Sequence, residues 1–160
     1  MPGTLGISPG TRVIGVAVIQ NRKIAATQVH SFGGKWSTKK LLKICNLLTS
    51  YMKMYHASAI AIKIPDELPV SRSYVELIGG LNVFFERHTI QPVYYTLSEL
   101  KQHCCPKGKA NKNALAECMA VKYPDLFVEY AKAQDKRDKY YHKLFEAVAA
   151  ARLLHTKMQD

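Results

Sequence analysis

Leu5-Gly6-Ile7-Ser8-Pro9-Gly10-Thr11-Arg12-Val13-Ile14-Gly15-Val16-Ala17-Val18-Ile19 is the stretch on which the fold turns. It opens with a short apolar run, Leu5 to Ile7. Ser8-Pro9-Gly10-Thr11 follows with turn chemistry, because proline fixes φ and glycine admits conformations that other residues avoid. Val13 to Ile19 is dense in β-branched residues, which marks a strand buried on both faces. The stretch therefore predicts two strands, one short and one long, joined by a tight polar turn.

Gln20-Asn21-Arg22-Lys23 reads as a second polar turn, and Ile24 to Ser31 as a third strand. Phe32 to Thr38 is a loop with two glycines, at whose end Ser37 or Thr38 can cap a helix. Leu41, Leu42, Ile44, Cys45, Leu48, Met52 and Tyr55 fall at helical spacing across Lys39 to Tyr55. Ala57 to Ile64 is a fourth strand, broken by Pro65 to Pro69. Ser73 to Arg87 is a second helix, Pro92 to Thr96 a fifth strand, and Ser98 opens a short helix through Gln102. Cys105 to Lys112 is a basic loop, Asn113 to Lys122 is helical, Pro124 to Asp138 is mixed and charged, and Tyr140 to Lys157 is an alanine-rich helix. This order predicts an α/β fold with a mixed central β-sheet flanked by helices, in a single domain over residues 1–160.

Lysine and arginine number 23 against 12 aspartates and glutamates, a formal net charge of +11. A small domain this basic attracts polyanions, nucleic acid foremost. No run of 18 apolar residues is present, so no membrane span is expected. Met1 to Ser8 has neither a charged n-region nor a long apolar stretch, so no signal peptide is expected. Cys45, Cys104, Cys105 and Cys118 form no C-x-x-C pair. Neither a structural zinc site nor a disulfide framework is expected, and a reducing cytoplasm is the expected compartment.

The opening stretch resembles the start of RuvC-type Holliday-junction resolvases, G-[IV]-D-P-G-[ST]-x-x-x-G. Further segments resemble the same family in its order along the chain. Ala61-Ile62-Lys63-Ile64 is similar to its A-I-E-x strand, and Leu77-Ile78-Gly79-Gly80-Leu81 to part of its long helix. Gln91 to Gln102 is similar to L-P-V-x-E-Y-x-P-x-x-V-K-Q, and Gly108-Lys109-Ala110-Asn111-Lys112 to G-x-A-D-K. Lys143 to Ala151 is similar to D-A-A-D-A-L-A-x-A. The opening also resembles the phosphate loop of actin-like ATPases, which lack the later segments. The resemblance implies the RNase H-like fold, with roles in DNA recombination and repair.

The resemblance also implies four carboxylates that hold divalent metal ions for phosphodiester cleavage. At those four places stand Ser8, Lys63, Lys143 and Glu146. Hard cations such as Mg²⁺ need oxygen ligands, and two ions together stabilise the attacking and leaving oxygens. A tetrad with one carboxylate and two ammonium groups repels such a cation. The expectation is a pseudonuclease with no metal or other cofactor, which binds branched DNA such as Holliday junctions without a catalytic residue. Two alternatives stay open. One is an active Mg²⁺-dependent junction endonuclease with rearranged ligands, drawing on Asp66, Glu67 or His142. The other is a basic protein-interaction module.

Lys107, Lys109 and Lys112 flank Gly108, with Lys101 upstream, a pattern that can follow a phosphate backbone. Arg12 in the first turn can face the same cleft. Arg72 and Tyr74 open the second helix, where an aromatic beside an arginine can stack on an unpaired base. Lys35, Trp36, Lys39, Lys40 and Lys43 form a second basic group, expected as a solvated helix face. The resemblance further implies a homodimer through Tyr74 to Arg87, with Leu81, Phe84 and Phe85 in the contact.

Overall fold

Residues 2–67, 71–105, 114–133 and 140–159 are described by the structure, a computed structural model. Among them a five-stranded sheet runs β1 (Thr4–Ser8), β2 (Val13–Gln20), β3 (Lys23–Ser31), β4 (Ala59–Ile64) and β5 (Val93–Thr96). Across the sheet the order is β3-β2-β1-β4-β5. The first three strands are antiparallel neighbours, and β4 and β5 add in parallel beside β1. All five expected strands are present, with ends moved by one or two residues. The helices are α1 (Thr38–Tyr55), α2 (Arg72–Arg87), α3 (Leu97–Cys104), α4 (Ala114–Lys122), α5 (Phe127–Ala133) and α6 (Tyr140–Gln159), with a 3-10 turn over Pro124–Leu126. The stretch read only as mixed and charged thus contains a 3-10 turn and a helix. No described helix is long and apolar enough to cross a membrane.

The two faces of the sheet differ in the size of their side chains. On one face Leu5, Ile7, Ile14, Val16, Val18, Ile60 and Ile62 pack against Ile44 and Leu48 of α1 and Leu77, Leu81 and Phe85 of α2. Each large side chain buried here contributes about 1.5–3 kcal/mol. On the other face stand small residues in register: Gly6 lies beside Ala17 on β2 and Ala61 on β4. This small-residue face receives α6, whose Ala147, Ala149, Ala150 and Ala151 are all buried.

Gly6 and Gly15 set how closely α6 approaches. A Cβ on Gly6 would lie 2.1 Å from the carbonyl oxygen of Ala147, and one on Gly15 would lie 2.2 Å from that of Lys143. The glycines are required here for backbone approach. The helix is also tied at its far end, where Thr4 Oγ1 and His155 Nδ1 are 3.1 Å apart.

Two local expectations need correcting. The short third helix is capped by Thr96, not Ser98: Thr96 and Glu99 form a reciprocal capping box. Leu81 and Phe85 are fully buried in the α2 core and are not free for a dimer contact. Phe84 is partly buried, with its ring 4.5 Å from that of His88. The four cysteines are free thiols.

Candidate functional site

Ser8 and Lys63 are brought together by register. Ile7 pairs with Ile62 in parallel strands, so the next residues, Ser8 and Lys63, come up side by side on the α6 face of the sheet. On α6, Lys143 and Glu146 are three residues apart and share one face. The glycine-permitted approach then lowers that face onto the strand ends. Ser8 Oγ donates to Glu146 Oε1 at 2.6 Å, and Lys63 Nζ lies 3.4 Å from the same oxygen. Lys143 Nζ donates to the carbonyl of Pro9 at 3.2 Å, and its stem lies against Gly10.

Charge in this site is partly balanced from within. Ser8 is fully buried, and the Lys63 and Glu146 side chains are 14% and 15% exposed, so their attraction is weakly screened. Lys143 is held below the usual lysine range by burial; the Glu146 carboxylate works against this, and the weaker repulsion of Lys63 adds to it. Tyr74 at the start of α2 turns its hydroxyl inward, where it has no hydrogen-bond partner among the described residues. Burial and the nearby Glu146 charge push its pKa up to about 12. The partly buried Tyr74 is therefore part of the wall of this site.

The RuvC resemblance brings a divalent-metal site with it, and these residues do not fit one. Glu146 is the single carboxylate, and its Oε1 already accepts from Ser8 and faces the Lys63 ammonium. The four side chains sum to a formal charge of +1. No group of three His, Cys, Asp or Glu side chains placed to hold a metal occurs among the described residues. Asp66 does not repair the set. Its carboxylate accepts from Ser98 N at 2.9 Å and Ser98 Oγ at 2.8 Å, which commits it to the start of α3. These hydrogen bonds hold its pKa below the usual carboxylate value. Glu67 follows it beyond the strand end and is exposed. His142 lines a cavity of about 260 Å³ beside the site, together with Lys101, Leu97, Leu115, Phe145 and Glu146.

The other expected contacts are dispersed. Arg12 is exposed in the turn between β1 and β2, and Lys101 is partly buried at the cavity. Arg72 is fully out in solvent, where it pairs with Glu76 at 3.3 Å. Lys107, Lys109 and Lys112 lie outside the described residues. Lys40, expected on a solvated face, is only 5% exposed. The roles of Gly6, Gly15 and the Tyr74 hydroxyl escaped the reading of the sequence. The close helix approach had a signal in the alanine run of α6 set against glycines in two strands.

Comparison with known proteins agrees with this architecture. The model of the family described as crossover junction endodeoxyribonuclease RuvC matches residues 4–123. The solved structure of Thermus thermophilus RuvC in complex with a Holliday junction substrate is similar, with a TM-score of 0.73 at 14% identity, covering 99% of this chain and 97% of that one. A second Thermus thermophilus RuvC structure gives 0.71 at 13% identity over 98% and 96%. Fowlpox virus resolvase, solved with Holliday junction DNA, gives 0.52 at 9% identity over 96% and 99%. No curated protein matches by sequence. The fold is the RNase H-like one of these resolvases. With most of its length, residues 4–123, matched by the family model, the chain belongs to the RuvC family.

Proposed function

We propose that this RuvC-family protein binds branched DNA, four-way junctions foremost, and does not cut it. The observation that carries the reading is the convergence of Ser8 Oγ and Lys63 Nζ on one oxygen of Glu146, the single carboxylate of the site. An internal ammonium stands where a divalent cation would need an anionic cluster, and Lys143 adds a second. The family and the two junction complexes among the similar folds support the DNA structure proposed. The net charge of +11 supports binding through phosphates. Arg12 and Lys101 border the site and contact the backbone, joined by Lys107, Lys109 and Lys112 of the family-like loop. Arg72 has its charge partly taken by Glu76 and contributes less. The protein acts as a homodimer, matching a two-fold junction. Its contact is the exposed face of α2 that presents Val75, Gly79 and Val83, in place of the buried Leu81 and Phe85. The cytoplasm is the compartment in which it meets DNA.

The test is a gel-shift panel of duplex, single strand and four-way junction, run beside a cleavage assay in Mg²⁺ and Mn²⁺. The expected result is junction binding without cleavage, and a slope of log affinity against log salt of about −4 to −5, for four to six phosphates. Metal-dependent cutting by the wild type would replace this reading with an active nuclease. Absent or salt-insensitive binding would replace it with a protein-interaction module.

A further inference from the structure

We propose that the hollow between the β3–α1 loop and the first turn of α1 is a second phosphate-binding site, for a phosphodiester group of a nucleic-acid backbone. The hollow has a volume of about 220 Å³ and is lined by Lys35, Ser37, Lys39, Lys40 and Lys43. At roughly 30 Å³ per water molecule, that holds a phosphate group with several waters.

Lys40 is the reason to expect an anion there. It is 5% exposed, and its ammonium donates to the carbonyl of Gly34 at 3.0 Å. An ammonium carries three donors, and one neutral oxygen satisfies one of them. Among the described residues no carboxylate lies within ion-pair distance of Lys40. Burying such a charge without a counter-charge is unfavourable, and three further lysines around the same hollow make it more so. Glu76, bonded to the neighbouring Trp36, is committed elsewhere: one oxygen accepts from Trp36 Nε1 at 2.8 Å and the other from Arg72 at 3.3 Å.

The backbone adds to the same potential. The first turn of α1 holds no acidic residue, so nothing there neutralises the positive end of the helix dipole. Ser37 Oγ accepts from Lys40 N and caps one amide, while other first-turn amides have no acceptor inside the helix. Gly33 and Gly34 border the hollow, and a Cβ on either would meet no atom within 4 Å, which leaves the loop backbone open to a ligand.

A polyanion fits better than a small one because the cations continue toward the degenerate site. An adjoining hollow shares Phe32, Gly33 and Lys35 with this one and adds Arg12. Phe32 N donates to the carbonyl of Arg12 at 2.7 Å, which ties the hollow to the turn that carries Ser8, Pro9 and Gly10. Arg12, Lys35 and Lys40 thus line two adjoining hollows along which successive phosphates can lie.

The test uses the full chain, labelled for amide spectra and titrated with inorganic phosphate and with a short plain duplex. Duplex should shift the Gly33, Gly34 and Ser37 to Lys40 amides at a concentration at least about tenfold below that needed with phosphate. The exposed triple change Lys35→Ala, Lys39→Ala, Lys43→Ala should reduce the salt slope of duplex binding by about 1 to 2, at roughly 0.9 per phosphate. Lys40→Met, which keeps the stem and removes the charge, should abolish the shifts with the fold retained. If Lys40→Met does not fold, the exposed triple change decides alone. No shift with either anion, or an unchanged slope in the triple variant, would overturn the proposal. Shifts with inorganic phosphate alone would mark a small-anion site and overturn the backbone assignment. Plain duplex serves as the probe so that a protein unable to recognise junctions still tests this hollow.

Discussion

Lys63 lies 3.4 Å from a carboxylate that also accepts from a buried serine, whereas Lys40, more deeply buried, meets only a main-chain carbonyl. The charges of the two lysines are handled differently. At the degenerate site, α6 brings Glu146 down onto the strand ends, and the charge there is partly compensated inside the protein. At the β3–α1 hollow no carboxylate among the described residues lies within ion-pair distance of Lys40, whose ammonium donates to the Gly34 carbonyl. A count of lysines treats the two regions alike. Their difference comes from the helix that covers one and leaves the other open.

The largest expected effect removes that covering helix. Gly15→Ala forces a Cβ into the backbone of α6 at Lys143, and should destabilise the protein by about 3 kcal/mol or more. Denaturant unfolding would measure it. A change below about 1 kcal/mol would mean that α6 does not approach as closely as 2.2 Å to the position of that Cβ.

The next test inverts the charge of the covered site and leaves the hollow alone. Ser8→Asp, Lys63→Glu and Lys143→Asp together would give four carboxylates. The triple variant should bind Mn²⁺ by calorimetry, while the wild type shows no binding. At a hundredfold excess over its dissociation constant the metal should stabilise the variant by about 2.7 kcal/mol. Without metal the variant should be less stable than the wild type, because four carboxylates crowd one site. Mn²⁺ binding by the wild type would end the contrast between the two regions. A folded variant that never binds metal would show that Ser8, Lys63 and Lys143 do not stand in the ligand positions.

A smaller effect isolates one ammonium. Burial holds Lys143 below the usual lysine value of 10.5 in the folded protein. Its folded state binds fewer protons than the unfolded state as pH approaches 10.5, so stability from this group rises with pH in that window. The penalty is full below the folded pKa and is relieved above it. Lys143→Met should therefore raise stability by about 1 kcal/mol at neutral pH, with the gap closing toward pH 10.5. A gap that widens with pH would contradict the burial account. The smallest expected effect is Gly33→Ala, within about 0.5 kcal/mol, because its Cβ would meet nothing. Together with Gly15→Ala it separates a glycine fixed by packing from one in open space.

Much of this molecule is written locally in its sequence. The β-branched run from Val13 to Ile19, the turn at Ser8 to Thr11 and the apolar spacing across Lys39 to Tyr55 each specify an element through contacts close in the chain. Five strands and the main helices were therefore legible, and the ordered family-like segments made the family legible too. The contacts that build the site depend mostly on partners remote in sequence. Ser8 reaches Glu146 across 138 residues, and only the register of β1 with β4 and the close packing of α6 make them neighbours. Asp66 was a possible metal ligand until α3 claimed it through Ser98, 32 residues away. The burial of the Tyr74 hydroxyl near the Glu146 charge likewise comes from folding. Lys40 looked like one more solvated lysine, because burial is a property of the folded surface and not of the residue. The sequence by itself determined most of the elements, their order and the residue types at Ser8, Lys63, Lys143 and Glu146. Only the tertiary structure decided which charges meet a carboxylate inside the protein and which do not, because electrostatic energy depends on distance and burial, which local chain chemistry does not fix.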